Sequence, residues 1–155
     1  MIKIRNSIKA IIIENSKILF NEMKSKSTGE LFYILPGGGQ EGGETFIETL
    51  KRECLEELGA KVEVGEIVLI REYIGKNHEF SQEHSHVHQI EYMFKCKLDE
   101  PINKSNITNL DFQQIGHKWI DLKDIKNNNI YPKVIKEVID TQGNIISPLY
   151  LGDIN

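Results

Sequence analysis

Glu53, Glu56 and Glu57 stand at i, i+3 and i+4 in a stretch, Thr45 to Leu58, whose apolar residues recur on a helical period. At 3.6 residues per turn, Phe46, Ile47, Leu50, Cys54 and Leu58 gather within an arc of roughly 120°. The three glutamates share an adjoining arc, and Glu57 falls inside the edge of the apolar stripe, between Phe46 and Leu50. Glu48, by contrast, lies opposite the stripe, where a solvated acid belongs. Carboxylates crowded at the boundary of a buried face repel one another unless a cation or an arginine compensates. Hard oxygen donors in a cluster suit Mg²⁺ or Mn²⁺. Arg52 adjoins the cluster with a planar fork able to hold a carboxylate in place. The competing account is a salt-bridged acidic helix surface. The preceding segment, Gly37-Gly38-Gly39-Gln40-Glu41-Gly42-Gly43, favours the metal reading. Five glycines in seven residues cost backbone entropy unless the chain turns sharply or approaches a ligand closely. A glycine-rich loop entering a helix can also aim N–H groups at phosphate oxygens.

Several elements must hold this segment. Residues 2–13 alternate and then run apolar, which predicts a strand, and Glu14-Asn15-Ser16 a turn into a returning strand over Lys17–Glu22. Lys24–Glu30 is a polar loop, and Leu31–Leu35 a short strand ended by Pro36. Gly59 stops the helix that starts at Thr45. Val62–Tyr73 and Val87–Leu98 read as longer strands joined by a His-rich connection (His78, His84, His86). Asp99–Asn109 reads as a polar loop. Lys118–Ile120 is one more strand and Leu122–Ile125 a helical turn. Pro132–Ile139 is a final amphipathic helix with proline in its first turn. Strands on both sides of a central helix imply a mixed sheet covered by helices.

Composition narrows the class. The chain has 155 residues, of which 39% are hydrophobic and 27% charged, the profile of one folded domain rather than a disordered segment. No apolar run approaches a membrane span, and Met1-Ile2-Lys3-Ile4-Arg5 lacks the pattern of a secretory signal. Two cysteines make no disulfide framework. A cytoplasmic protein is the expectation. With 19 Lys+Arg against 23 Asp+Glu, the net charge of −4 argues against bulk nucleic-acid binding. A phosphate-bearing partner would need a bridging divalent cation.

Gly38, five residues, Glu44, seven residues, then Arg52-Glu53-Cys54-Leu55-Glu56-Glu57-Leu58-Gly59-Ala60 resembles the Nudix box of the Nudix hydrolases. Every fixed polar and glycine position matches across 23 residues, with Cys54 and Ala60 in the two apolar slots. The flanking Leu35-Pro36-Gly37-Gly38-Gly39 and the later Trp119 and Leu122 are similar to the family too, over residues 2 to 140. The resemblance implies an α/β fold, specifically an α/β/α sandwich with a mixed sheet between helices, as a single domain over 1–155. It implies Mg²⁺- or Mn²⁺-dependent hydrolysis of a nucleoside diphosphate linked to another group, by water attack at phosphorus. Glu53, Glu56 and Glu57 would be metal ligands, joined by a backbone carbonyl at Gly38. Glu53, Arg52 and Glu44 would be the catalytic set, with Glu53 the base and the other two orienting the ligands. In such enzymes the base also comes from loops outside the box, and homodimers are common.

Substrate markers are sparse. Tyr73-Ile74-Gly75-Lys76-Asn77 lacks the downstream proline associated with ADP-ribose. Nucleoside triphosphates, oxidised or otherwise non-standard, and nucleotide sugars are the open classes, and the short chain with no added domain favours the former. ADP-ribose cleavage and a non-catalytic nucleotide sensor are the alternatives, and the intact glutamate set favours an enzyme. His84, His86 and His88 alternate, so on a strand they would share a side and could bind a transition metal. A polar loop entering a strand is the simpler reading. Tyr73, Phe80, Tyr92 and Phe94 are base-stacking candidates, Tyr92 and Phe94 more in keeping with packing. Trp119 and Cys54 read as core.

Overall fold

The computed structural model describes residues 1–108 and 112–155. Strand β1 (Ile4–Glu14) turns through Asn15-Ser16 into β2 (Lys17–Lys24), followed by β3 (Leu31–Ile34) and β4 (Gly37–Gly39). Helix α1 (Phe46–Leu58) leads to β5 (Val62–Ile74), a single turn α2 (Ser81–His84) and β6 (His88–Leu98). Then come β7 (Gln114–Asp121), a 3-10 turn over Leu122–Asn127, β8 (Ile130–Tyr131), the one-turn helix α3 (Ile135–Val138) and β9 (Tyr150–Asp153). Among the described residues these strands form one mixed sheet in the order β8-β3-β2-β1-β6-β5-β9, with β4 paired to β1 and β7 to β2. Asn15 and Ser16 carry φ of 50° and 61°, the double left-handed conformation of the two-residue turn that fits strand twist.

β1 is the hinge of the architecture. It lies parallel to β6 from Ile4 to Ile12 and antiparallel to β4. Because side chains alternate along a strand, Ile8, Ala10 and Ile12 face one way and Ile11 the other. The first set packs with Leu50, Cys54 and Leu58 of α1 and with Phe94 and Cys96 of β6. Ile11 packs with Leu69, Met93, Leu122, Ile125, Ile135 and Val138 on the opposite face. A strand buried on both faces reads as a nearly unbroken apolar run, which is why residues 10–13 do. The layers are those of an α/β/α sandwich.

Several expectations need correction. The glycine stretch at 37–39 is not a free phosphate loop: it is β4, pairing Ser7 with Gly39 and Lys9 with Gly37. The strand expected over Lys118–Ile120 runs from Gln114 to Asp121, because β2 pairs with it from Lys17 to Met23. The final helix is one turn rather than Pro132–Ile139. Ile139 turns extended at φ −119°, ψ 123° and bridges Ile145, with Asp140 Oδ1 accepting the N–H groups of Gln142 and Asn144. His84, His86 and His88 do not share one side of a strand. His84 ends α2 and bonds the Tyr73 hydroxyl at 2.9 Å, while His88 opens β6. Within the polar stretch 99–109, Lys104–Asn106 makes a 3-10 turn, and Asn109 lies outside the described residues. No helix among the described residues is long and apolar enough to cross a membrane.

Candidate active site

Helix α1 is fixed at both ends by its own sequence. Thr45 Oγ1 accepts from Glu48 N, and the Glu48 side chain accepts from Thr45 N at 2.7 Å, a reciprocal capping box. Gly59, at φ 64°, donates its N–H to the Leu55 carbonyl and closes the last turn. The glutamates of the helix are thereby held against β4.

Arg52 organises the acids. Its Nε donates to Glu44 Oε1 at 2.5 Å and its Nη2 to Glu44 Oε2 at 3.0 Å, a two-pronged pairing. Nη2 also donates to the Gly39 carbonyl at 3.1 Å, and Nη1 to Glu53 Oε1 at 3.0 Å, with Glu56 Oε2 at 3.5 Å. Glu44 also accepts from Thr49 Oγ1 at 2.8 Å and Glu41 N at 3.1 Å. The Arg52 hydrogen bonds, helped by the Glu41 N–H, hold the Glu44 carboxyl down at about 2. Glu44 is thus an ionised brace for Arg52.

Glu57 is the buried member, 6% exposed. Its Oε2 accepts from Asn21 Nδ2 at 2.8 Å and from Gly37 N at 3.0 Å. Burial pushes its carboxyl up to about 7, against the pull of Lys9 and of those two hydrogen bonds. Lys9 Nζ sits 3.3 Å from the Gly37 carbonyl. Asn21 and Lys9 were not among the residues singled out from sequence. Both lie on strands, one on each side of the β1–β2 turn, and only strand pairing brings them beside the helix.

The structure brings Gly38, Glu53, Glu56 and Glu57 onto one wall of a cavity of about 580 Å³, with Arg52 in the same lining. Arg5, Ser7, Lys9, Gln89, Glu91 and Arg71 line the sheet side of that cavity. Arg71 and Glu91 form a buried pair, Nε to Oε2 at 2.5 Å, with Arg71 Nη1 on the Ile154 carbonyl at 2.6 Å. Burial pushes the Glu91 carboxyl up, and the Arg71 and Lys9 charges more than offset it, so Glu91 lies below the ordinary carboxyl value. Tyr73 is buried, bonded to His84 and stacked on His78 with centroids 5.1 Å apart, so it packs rather than facing the cavity. Tyr92 packs on Phe46, and Trp119 against the α1 core.

The donor set fits a hard divalent cation. Three carboxylates share a helix face, and Glu57 Oε1 takes no hydrogen bond from a described residue. Gly38 lies so close to Glu53 that an added Cβ would stand 2.5 Å from its carboxyl carbon. Among the described residues no three carboxylate, imidazole or thiol groups enclose a cation as they stand, since Glu53 and Glu56 turn toward Arg52 Nη1. Rotation of those two side chains, which rotamer freedom permits, would turn them away from Arg52. Gly38→Ala is expected to push the Glu53 carboxylate aside and weaken Mg²⁺ binding at least about tenfold. Its melting temperature should barely move, because the flexible end of Glu53 gives way. A cation titration beside a thermal melt would read both.

A mixed sheet between helices, with an acid-bearing helix and a glycine strand walling one cavity, defines a class. A family model for the NUDIX domain matches residues 3–140, and the chain belongs to the Nudix hydrolase family. Its members act on pyrophosphate bonds in small nucleotide substrates and generally use divalent cations. The fold is similar to that of a NUDIX hydrolase from Nitrosomonas europaea, with TM-score 0.71 and 18% identity, covering 87% of this chain and 85% of that one. It is also similar to a UDP-X diphosphatase, with TM-score 0.67 and 20% identity over 97% of this chain and 68% of that one. An ADP-ribose pyrophosphatase from Streptococcus suis gives TM-score 0.57 and 18% identity, covering 82% of this chain and 79% of that one.

Proposed function

We propose that this chain is a Mg²⁺- or Mn²⁺-dependent pyrophosphohydrolase of nucleoside triphosphates, including non-standard ones, hydrolysing an anhydride bond by in-line attack of water at phosphorus. The observation that carries the reading is the gathering of clustered carboxylates and cationic side chains in one cavity. Glu53, Glu56 and Glu57 line it together with Arg5 and Lys9, which flank β4 beside them. A polyphosphate with its counter-cation matches that pairing of acids and cations. In this reading Glu53, Glu56, Glu57 and the Gly38 carbonyl hold the cation. When bound, that cation neutralises diphosphate oxygens and lowers the pKa of an attacking water. Glu53 takes the proton from the water. Arg52 and Glu44 are positioning residues, and Lys9 and Arg5 meet phosphate oxygens directly.

The test is a hydrolysis screen with Mg²⁺ and with Mn²⁺, in which added inorganic pyrophosphatase or alkaline phosphatase converts the pyrophosphate or phosphomonoester products to phosphate for detection. Its panel holds nucleoside triphosphates, oxidised purine triphosphates, ADP-ribose, nucleotide sugars and dinucleoside polyphosphates. A preferred triphosphate whose turnover disappears with chelator supports the reading. Preference for ADP-ribose or a nucleotide sugar, the substrates in two neighbours' names, would replace the triphosphate by that class. Nucleotide binding with no turnover would make the chain a sensor.

A further inference from the structure

One face of the sheet changes character along its length. Leu69, Met93 and Ile11 belong to the core packed beneath α3. Two residues on toward the cavity, the same face carries Arg71, Glu91 and Lys9, and beyond them Gln89, Ser7 and Arg5. Ser7, Arg71 and Glu91 are each at most 5% exposed. Central strands ordinarily keep such a face apolar, and charges there cost desolvation that a hydrophobic pair would avoid. Departures from the folding pattern of this kind concentrate where a site is built.

The polar floor is ordered. Arg71 and Glu91 stand directly opposite each other across β5 and β6, and Arg5 and Gln89 across β1 and β6. Gln89 Nε2 donates to Glu91 Oε1 at 3.0 Å, and Arg5 Nη1 to Gln89 Oε1 at 3.3 Å. Arg71 spends Nε on Glu91 and Nη1 on the Ile154 carbonyl, and Nη2 has no hydrogen-bond partner among the described residues. The Ile154 carbonyl follows β9, which pairs with β5 and lies outside the residues matched to the family. Asp153 anchors that strand through Ile74 N, Asn77 and His78.

Arg5 and Lys9 flank β4, next to the glutamates. Arg71 lies two strands away, about 10 Å by strand spacing, a span suited to the stretch from a nucleotide's phosphates to its base. An ionised Glu91 there repels phosphate and offers lone pairs beside the Arg71 and Gln89 donors. We propose that Arg71, Glu91 and Gln89 read the hydrogen-bonding edge of the substrate's nucleobase, with β9 holding Arg71 in register. This deepens the nucleotide reading above and rests on it.

The test is calorimetric titration with ADP, GDP, CDP and UDP at one fixed Mg²⁺ concentration, the phosphates being constant and the base varied. The wild-type chain should prefer one base by about tenfold or more, as a site built to hydrogen-bond its ligand does. Glu91→Gln and the double variant Arg71→Met, Glu91→Met should bring the four Kd values within about threefold. Binding of Mg²⁺ and of inorganic pyrophosphate should stay at the wild-type level. The Met pair keeps the sheet apolar, and Gln89→Ala, outside the core, keeps the question decidable where a buried change unfolds the chain. Equal Kd values in the wild type overturn the proposal, as does a base preference surviving in a folded variant. Base discrimination without hydrolysis would sink the pyrophosphohydrolase reading alone, and hydrolysis without base discrimination would sink this inference alone.

Discussion

Glu57→Gln should cut turnover about 10²–10³-fold, a loss of several kcal/mol of charge stabilisation, while making the cation-free protein more stable at pH 8. The native Glu57 carboxyl keeps its proton up to about 7, against an ordinary value of 4.5 for the unfolded chain. Through that window the unfolded state binds fewer protons, so stability falls as pH rises from 4.5 to 7. Glutamine keeps an acceptor for Asn21 and Gly37 and has no charge to desolvate. The gain is on the order of 2–3 kcal/mol, or about 5–10 °C in Tm. Saturating Mg²⁺ should reverse the order by stabilising only the wild type. Melts at pH 5 and pH 8, with chelator and with Mg²⁺, decide it. A variant less stable than wild type at pH 8 in chelator would refute the account of Glu57 as a charge held for a cation.

Arg52→Lys should lower kcat about 10²-fold although the charge is kept, the size of loss that follows a small misplacement of catalytic groups. A lysine cannot reproduce the two-pronged grip on Glu44 while also reaching Glu53 and the Gly39 carbonyl. Released from that fork, the Glu44 carboxyl moves up toward its ordinary range. KM should change less than kcat, because Arg52 orders the acids rather than the substrate. A lysine variant within about threefold of wild-type kcat would reduce Arg52 to a surface charge.

The helix was legible because its limits are chemical. Thr45 and Gly59 bound its helical period in the sequence, and its stripe of Leu50, Cys54 and Leu58 marks its buried side. The alternation and apolar run of β1 likewise announced a strand, and the structure buries it on both faces. What escaped is backbone-driven or distant. β4 is three glycines with no side-chain pattern, a strand only because β1 pairs with it. β9 is short and half exposed, and its role appears through the Ile154 carbonyl, which no residue type signals. The helix expected at Pro132–Ile139 had the right spacing of buried residues. The bridge between Ile139 and Ile145 draws the chain out of helical geometry after one turn. Arg71 and Glu91 lie 20 residues apart and meet only through strand register. Their sequence signal, charges interrupting two apolar strands, reads as ordinary strand alternation until the sheet is assembled.

Cys54 and Cys96 lie in the same core under α1, both free and buried. Burial raises both thiols, Cys96 to about 12. Only the thiolate reacts with an alkylating reagent, so neither sulfur is a target while the layers stay closed. Labelling then waits for that layer to open, and its rate counts the openings. Cys54 follows Glu53 directly in the chain, so the two thiols form a clock for how often the acid-bearing helix lifts from the sheet. A bound cation should slow it.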